Sequence, residues 1–360
     1  MSTPASTPGR VIRLQDWLRD DLPAAGPLTP LLGDNEITDI LVNGCEVWVD
    51  RGHGLTRAAV RMGSRDDVRR LAQRLASACG RRLDEGRPFA DVRLADGTRL
   101  HAALPPVAAQ GPYLSLRTLR ERAFSLGDLV ASGTVTASGA SLLAAIVAAR
   151  LAYLVTGGTG SGKTTILATL LGLVPHDERI VLVEDAAELR PAHPHVVGLQ
   201  ARTSNVEGTG EIGLRELVRE ALRMRPDRLV VGECRGAEVV DLLAALNTGH
   251  DGGAGTLHAN AAADVPARLE SLGLLGGVPG DALHAQIAAA LHVVIHLRRH
   301  PAGRTVDEIC LLLPDDADRR VTAVIAWDPR HGPGPAAPAL ARLLRQRRVE
   351  PPAVLAGARA

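Results

Sequence analysis

The sequence predicts an α/β protein in which a larger domain with a mostly parallel sheet follows a smaller α+β domain. Three observations carry this. Before about residue 123, short β-type runs and one amphipathic helix are mixed and joined by hairpin signals. From residue 140 onward strand and helix patterns alternate, as they do in sheets covered by helices on both faces. A glycine-rich run, GGTGSGKTT at 157–165, sits directly between an apolar strand and a helical run.

The elements follow in order. Residues 37–42 and 46–49 read as strands joined at Asn43-Gly44, a dipeptide that accepts the left-handed backbone of a tight hairpin turn. Residues 66–76 place Val68, Leu71, Ala72 and Leu75 at helical spacing. Residues 91–94 and 99–104 form a second hairpin around Asp96-Gly97. Prolines and glycines at 105–106, 111–112 and 125–127 punctuate the end, so the first domain is expected to span 1–122. In 123–330, strands are expected at 151–156, 180–183 and 229–231, and helices at 163–173, 214–224 and 237–246. The last stretch, 331–360, is rich in Pro and Ala and carries five Arg against one Glu, which predicts a disordered basic tail with one short helix at 339–348.

Composition excludes several classes. The chain has 360 residues, with 41 Lys+Arg against 40 Asp+Glu, and Lys163 is its only lysine. A net charge of +1 removes the case for binding nucleic acid by bulk electrostatics, and seven aromatic residues in all leave little for base stacking. No apolar run reaches the roughly 18 residues of a membrane span. The opening residues lack the apolar stretch of a signal peptide, which points to the cytoplasm. Cys45, Cys79, Cys234 and Cys310 include no C-x-x-C pair, so neither zinc nor a disulfide framework is expected.

The run Gly157, Gly158, Thr159, Gly160, Ser161, Gly162, Lys163, Thr164, Thr165 fits G-x-x-x-x-G-K-[ST]. Its glycines let successive backbone N–H groups turn inward onto phosphate oxygens, and the following helix adds its positive end. Lys163 is placed to reach the β- and γ-phosphates, and the Thr164 hydroxyl to ligate Mg²⁺, so ATP and Mg²⁺ are the expected cofactors. Hydrolysis also needs groups that hold the metal and aim a water. The apolar run at 229–231 ends in Gly232-Glu233, putting Glu233 at the carboxyl end of a strand, where such sheets bind ligands. A second strand runs into Glu184, Asp185 and Glu188, which spacing alone does not rank. His250 and His258 flank a glycine-rich segment and are candidate sensors of the γ-phosphate, whereas His292 and His296, with no carboxylate expected nearby, read as core or surface.

These motifs, in this order, resemble the type II/IV secretion ATPases, the hexameric traffic ATPases of secretion, conjugation and pilus systems. The resemblance rests on GGTGSGKTT, VEDAAEL (183–189), LRMRPDRLVVGECRGAE (222–238) and TGHDGGAGTLHAN (248–260). FADVRLADGTRLHAALPPVA (89–108) and LSLRTL (114–119) extend it upstream. The tight-adherence and conjugation branch fits best, because the cysteine cluster of zinc-binding relatives is missing. The resemblance implies a RecA-like P-loop domain behind the α+β domain. It makes Glu188 the catalytic glutamate and Glu233 the glutamate of the Mg²⁺ shell, with His258 and His250 as the histidine-box pair. Arg99 and Arg117 would be the arginines that reach the phosphates when the domains close. It further implies a homohexamer docked on an inner-membrane platform protein at the inner face of the cell membrane. A nucleic-acid translocase on the same core, or a weakly hydrolysing nucleotide-gated scaffold, are the alternatives.

Overall fold

The computed structural model describes residues 25–355 apart from 35, 53, 95, 119–122, 203–209, 302, 316, 318 and 319. The chain divides into two compact units between Arg122 and Ala123. The first contains β1 (Asp39–Asn43), β2 (Glu46–Asp50), β3 (Leu55–Arg61), α1 (Arg65–Ala78), β4 (Phe89–Arg93), β5 (Arg99–Ala103) and β6 (Tyr113–Arg117). Its sheet is antiparallel throughout, in the order β3-β2-β1-β6-β5-β4. Alternate residues bury, as period 2 requires: Ile40, Val42, Val47, Val49, Leu100 and Leu116 pack with Val68, Leu71 and Leu75 of α1. Ser64 caps α1 by accepting the Asp67 N–H. Strand β3 is mostly exposed and so shows no apolar alternation to read. On the face away from the core, Arg93, Arg99 and Arg117 are register partners across β4, β5 and β6.

The second unit contains α2 (Leu126–Ala131), α3 (Ala137–Ala148), β7 (Tyr153–Gly157), α4 (Lys163–Leu171), β8 (Ile180–Glu184), β9 (Val196–Gln200), α5 (Leu214–Leu222) and β10 (Arg228–Cys234). It continues with α6 (Glu238–Asn247), β11 (Ala254–His258), α7 (Val265–Leu275), α8 (Gly280–Ala290), β12 (Val293–His300), β13 (Gly303–Pro314), β14 (Val321–Asp328), β15 (Gly332–Pro333) and α9 (Ala337–Gln346). The sheet order is β15-β14-β13-β12-β7-β11-β10-β8-β9. Strands β12 to β9 in that order are parallel, and β13, β14 and β15 add an antiparallel wing. Every residue of β7 and of β8 is buried, because helices cover both faces. One face packs Tyr153 and Val155 against α3, α4 and α9; the other packs Leu154, Val181 and Val183 against α5, α6, α7 and α8.

The segment expected to be a disordered tail is instead folded as far as residue 355. Helix α9 buries Ala337, Leu340, Ala341 and Leu344 at i, i+3, i+4 and i+7, and Leu355 is buried beyond it. Arg347 ties the end of that helix to Asp251 at 2.7 Å. The short helix expected at 339–348 is therefore present, at Ala337–Gln346, but its stripe of Ala and Leu is packed into the core rather than carried on a mobile tail. Nor is His296 remote from a carboxylate: it is the register partner of Glu308.

Candidate nucleotide site

The loop from Gly157 to Gly162 leaves the carboxyl end of β7, and three of its four glycines are required by the backbone. Gly157, Gly160 and Gly162 take φ of 147°, 70° and 96°. A Cβ on Gly157 would lie 2.5 Å from the Leu297 carbonyl oxygen and 2.6 Å from Ser161 Oγ. Helix α4 starts at Lys163 with no side-chain cap, which leaves its first N–H groups directed at the loop. Lys163 Nζ donates to the Gly157 and Gly158 carbonyls, each at 2.9 Å. Burial holds its ammonium below the ordinary lysine range, opposed by the nearby Glu233 carboxylate. Ser161 Oγ is buried with no hydrogen-bond partner among the described residues. Uncapped N–H groups, a lysine and an orphaned hydroxyl around open glycines form a donor set that fits a polyphosphate. Thr164, half-buried, opens the helix beside Lys163.

Carboxylates approach from the neighbouring strands. Glu233 lies near the end of β10, just where its register with β11 shifts, and is ion-paired with Arg235. Arg235 also feels Asp185 and Glu188, and Lys163 feels both Glu233 and Arg235, so these five charges form one cluster. The turn that carries Arg235 is pinned by Glu238 Oε1, which accepts the Arg235 and Gly236 N–H groups at 2.6 and 2.7 Å. Arg235 was missed by sequence reasoning, although its position two residues beyond Glu233 in GECRGAE is a local signal.

Packing separates the three acids of the second strand. Glu184 is 4% exposed, and its Oε1 accepts the N–H groups of Glu188 and Leu189, both at 2.9 Å. Burial pushes its carboxyl above the usual range. It holds the turn that follows β8. Asp185 is exposed and Glu188 half-buried, leaving them available to solvent.

The two histidines part company. His258 is exposed at the end of β11 and is the register partner of Gly157, level with the phosphate loop. His250 precedes β11 and engages the Ala245 carbonyl through Nδ1 at 3.1 Å. The whole length of β11, from Ala254 to His258, stands between them. Of the two histidines expected at the site, the structure sets His258 level with the loop and His250 at the opposite end of β11. Below the loop, buried His296 meets Thr156 Oγ1 through Nδ1 at 2.9 Å, and burial keeps its imidazole below the usual histidine range. Arg99 and Arg117, on the first unit, are ion-paired with Asp91 and Asp39 at 2.6 and 3.3 Å. Among the described residues no group of three or more His, Cys, Asp or Glu is placed to hold a metal ion.

Fold and site together define a P-loop protein with a RecA-like core and a smaller α+β unit. The chain belongs to the type II/IV secretion system protein family, whose sequence profile matches residues 21–321. It is 56% identical over 338 residues to a putative conjugal transfer protein of Mycobacterium tuberculosis (strain ATCC 25618 / H37Rv), covering 92% of this chain and 96% of the relative. It is 32% identical over 311 residues to the conjugal transfer protein TrbB of Rhizobium radiobacter, covering 84% and 90%. In fold it is similar to the pilus retraction motor PilT solved with bound ADP, at a TM-score of 0.56 and 24% identity over 81% of this chain and 82% of that one. The Yersinia pseudotuberculosis ATPase DotB is similar in fold at a TM-score of 0.55 and 17% identity, covering 86% and 78%.

Proposed function

We propose that this protein is a Mg²⁺-dependent ATP hydrolase whose turnover drives conjugation-type transfer, secretion or pilus assembly across the cell envelope. The observation that supports the reading is the Gly157–Gly162 loop itself, with Lys163 bonded to its carbonyls, a buried Ser161 hydroxyl lacking a partner among the described residues, and His258 level with Gly157. Bound Mg·ATP supplies the phosphoryl group and the metal's charge. The loop N–H groups and Lys163 hold the phosphates, exchanging the Gly157 and Gly158 carbonyls for phosphate oxygens as partners of the ammonium. The Thr164 hydroxyl and Glu233 would hold Mg²⁺, which requires Glu233 to part from Arg235. Glu188 takes the proton of the attacking water, being the glutamate of its turn that packing leaves accessible. His258 stands level with the loop as the donor that senses the terminal phosphate. Arg99 and Arg117 supply planar guanidinium groups that bind two phosphate oxygens at once.

In this reading the working form is a homohexamer, cytoplasmic and peripheral at the inner face of the membrane, docked on a polytopic platform protein. No helix among the described residues is long and apolar enough to cross a membrane. Phosphate release by wild type, Lys163→Ala and Glu188→Gln tests the reading. Both variants should lose turnover, while Glu188→Gln still binds ATP; full turnover by Glu188→Gln would remove the catalytic assignment. Native mass measurement with and without nucleotide tests the ring.

A further inference from the structure

The side of the phosphate loop away from Glu233 carries a cation that the catalytic set does not use. In the sheet, β7 has β11 on one flank and β12 on the other. Strand β12 reaches the level of Gly157 at Leu297 and runs on through Arg298, Arg299 and His300 before returning as β13, with Arg299 and Arg304 as cross-strand partners. A Cβ built on Gly160 would lie 3.2 Å from Arg299 Nη1, and one on Gly162 would lie 3.3 Å from Arg304 Cδ. Both side chains therefore lie directly against the loop. Their partners differ. Arg304 Nε donates to the Gly160 carbonyl at 2.8 Å, and Arg298 is paired with Asp307 at 2.8 Å. The Arg299 side chain is exposed and makes no hydrogen bond or ion pair with any described residue.

The sheet order gives a bound triphosphate its direction. The groups suited to its terminal phosphate, Glu233, Glu188 and His258, stand on β10, after β8 and on β11, all to one flank of β7. A triphosphate seated with that end toward them leads its nucleoside toward the opposite flank, the β12–β13 hairpin. We propose that this hairpin is the nucleoside-recognising edge of the site and that Arg299 lays its guanidinium on the face of the purine. A planar, weakly hydrated cation suits an aromatic face, and the stacking distinguishes a nucleotide from a bare phosphate chain. This rests on the nucleotide-binding reading above and adds the residue that selects the nucleoside.

The test compares equilibrium binding of Mg·ATP and of inorganic tripolyphosphate to the full-length wild type and to Arg299→Ala, with thermal melting as a check that the exposed substitution leaves the fold intact. Arg299→Ala should weaken ATP roughly three- to tenfold and leave tripolyphosphate unchanged. Equal weakening of both ligands would mean that Arg299 acts only as charge on the phosphates and would overturn the proposal, as would unchanged ATP binding. A wild type that binds neither ligand would sink the nucleotide reading, and this proposal with it.

Discussion

Arg235 closes on Glu233 across two residues at the end of β10, so the acid assigned to the metal already carries a counter-charge of its own. If Glu233 holds Mg²⁺ as proposed, the guanidinium and the metal ion would compete for one carboxylate. Arg235→Gln is therefore expected to lower the Mg²⁺ concentration that half-saturates ATP turnover. A magnesium titration of wild type and variant checks this, and superimposable curves would refute the competition.

Lys163 is the only lysine of the chain, so an amine-selective reagent can modify just this side chain and the N-terminus. Because burial holds its ammonium below the ordinary lysine range, Lys163 sheds its proton, and labels, at lower pH than a surface lysine does. Saturating Mg·ATP should abolish the labelling, as read by peptide mass spectrometry. Equal modification with and without nucleotide would contradict the placement of phosphate at this loop.

Glu184 and Glu188 should separate cleanly. The folded-state value of Glu184 is raised above 4.5 by burial, so the folded state holds this proton more tightly than the unfolded state. Its contribution to stability consequently falls as pH rises from 4.5 through the folded value, and the loss is complete above it. Glu184→Gln keeps the acceptor for the Glu188 and Leu189 N–H groups and removes the ionisation. Its Tm relative to wild type is expected to climb across that window, and a flat difference would argue against a buried, ionising Glu184. Glu184→Ala strands both N–H groups and should cost about 2 kcal/mol.

Of the histidines, His258→Ala should lower turnover roughly tenfold or more, because it removes a donor level with the loop. His250→Ala should cost turnover far less, since its imidazole serves the Ala245 carbonyl at the other end of β11. Steady-state rates on the two variants decide. A larger loss at His250 would overturn this ranking.

The folded end of the chain makes its own prediction. Leu340 is fully buried in the cluster that holds Trp327 and Leu344, so Leu340→Ala should destabilise by about 3 kcal/mol. Thermal melting reads this, and an unchanged Tm would mean that α9 does not belong to the core.

What was legible in the sequence was local. GGTGSGKTT fixes its own backbone through three positive-φ glycines, so strand, loop and helix are all readable from nine residues. The choice among Glu184, Asp185 and Glu188 depends on which backbone N–H groups the folded turn offers, and no spacing encodes that. His250 and His258 are close in sequence, yet an extended strand carries the chain across the sheet between them. Arg299 is separated from Gly160 by most of the domain and meets it only because β12 pairs with β7.

Gly157, His258 and Leu297 are partners in a single row across β11, β7 and β12. Such a row sets where the chain tolerates a change in length. One residue inserted between Ala254 and His258 would reverse which face of the sheet the imidazole meets, because side chains alternate with period 2. The same residue inserted into the turn at Gly252-Gly253 leaves the phase of β11 unchanged. Lineages of this chain should accordingly accumulate insertions and deletions in the turns at the amino end of the sheet, and hold β7, β11 and β12 to constant length.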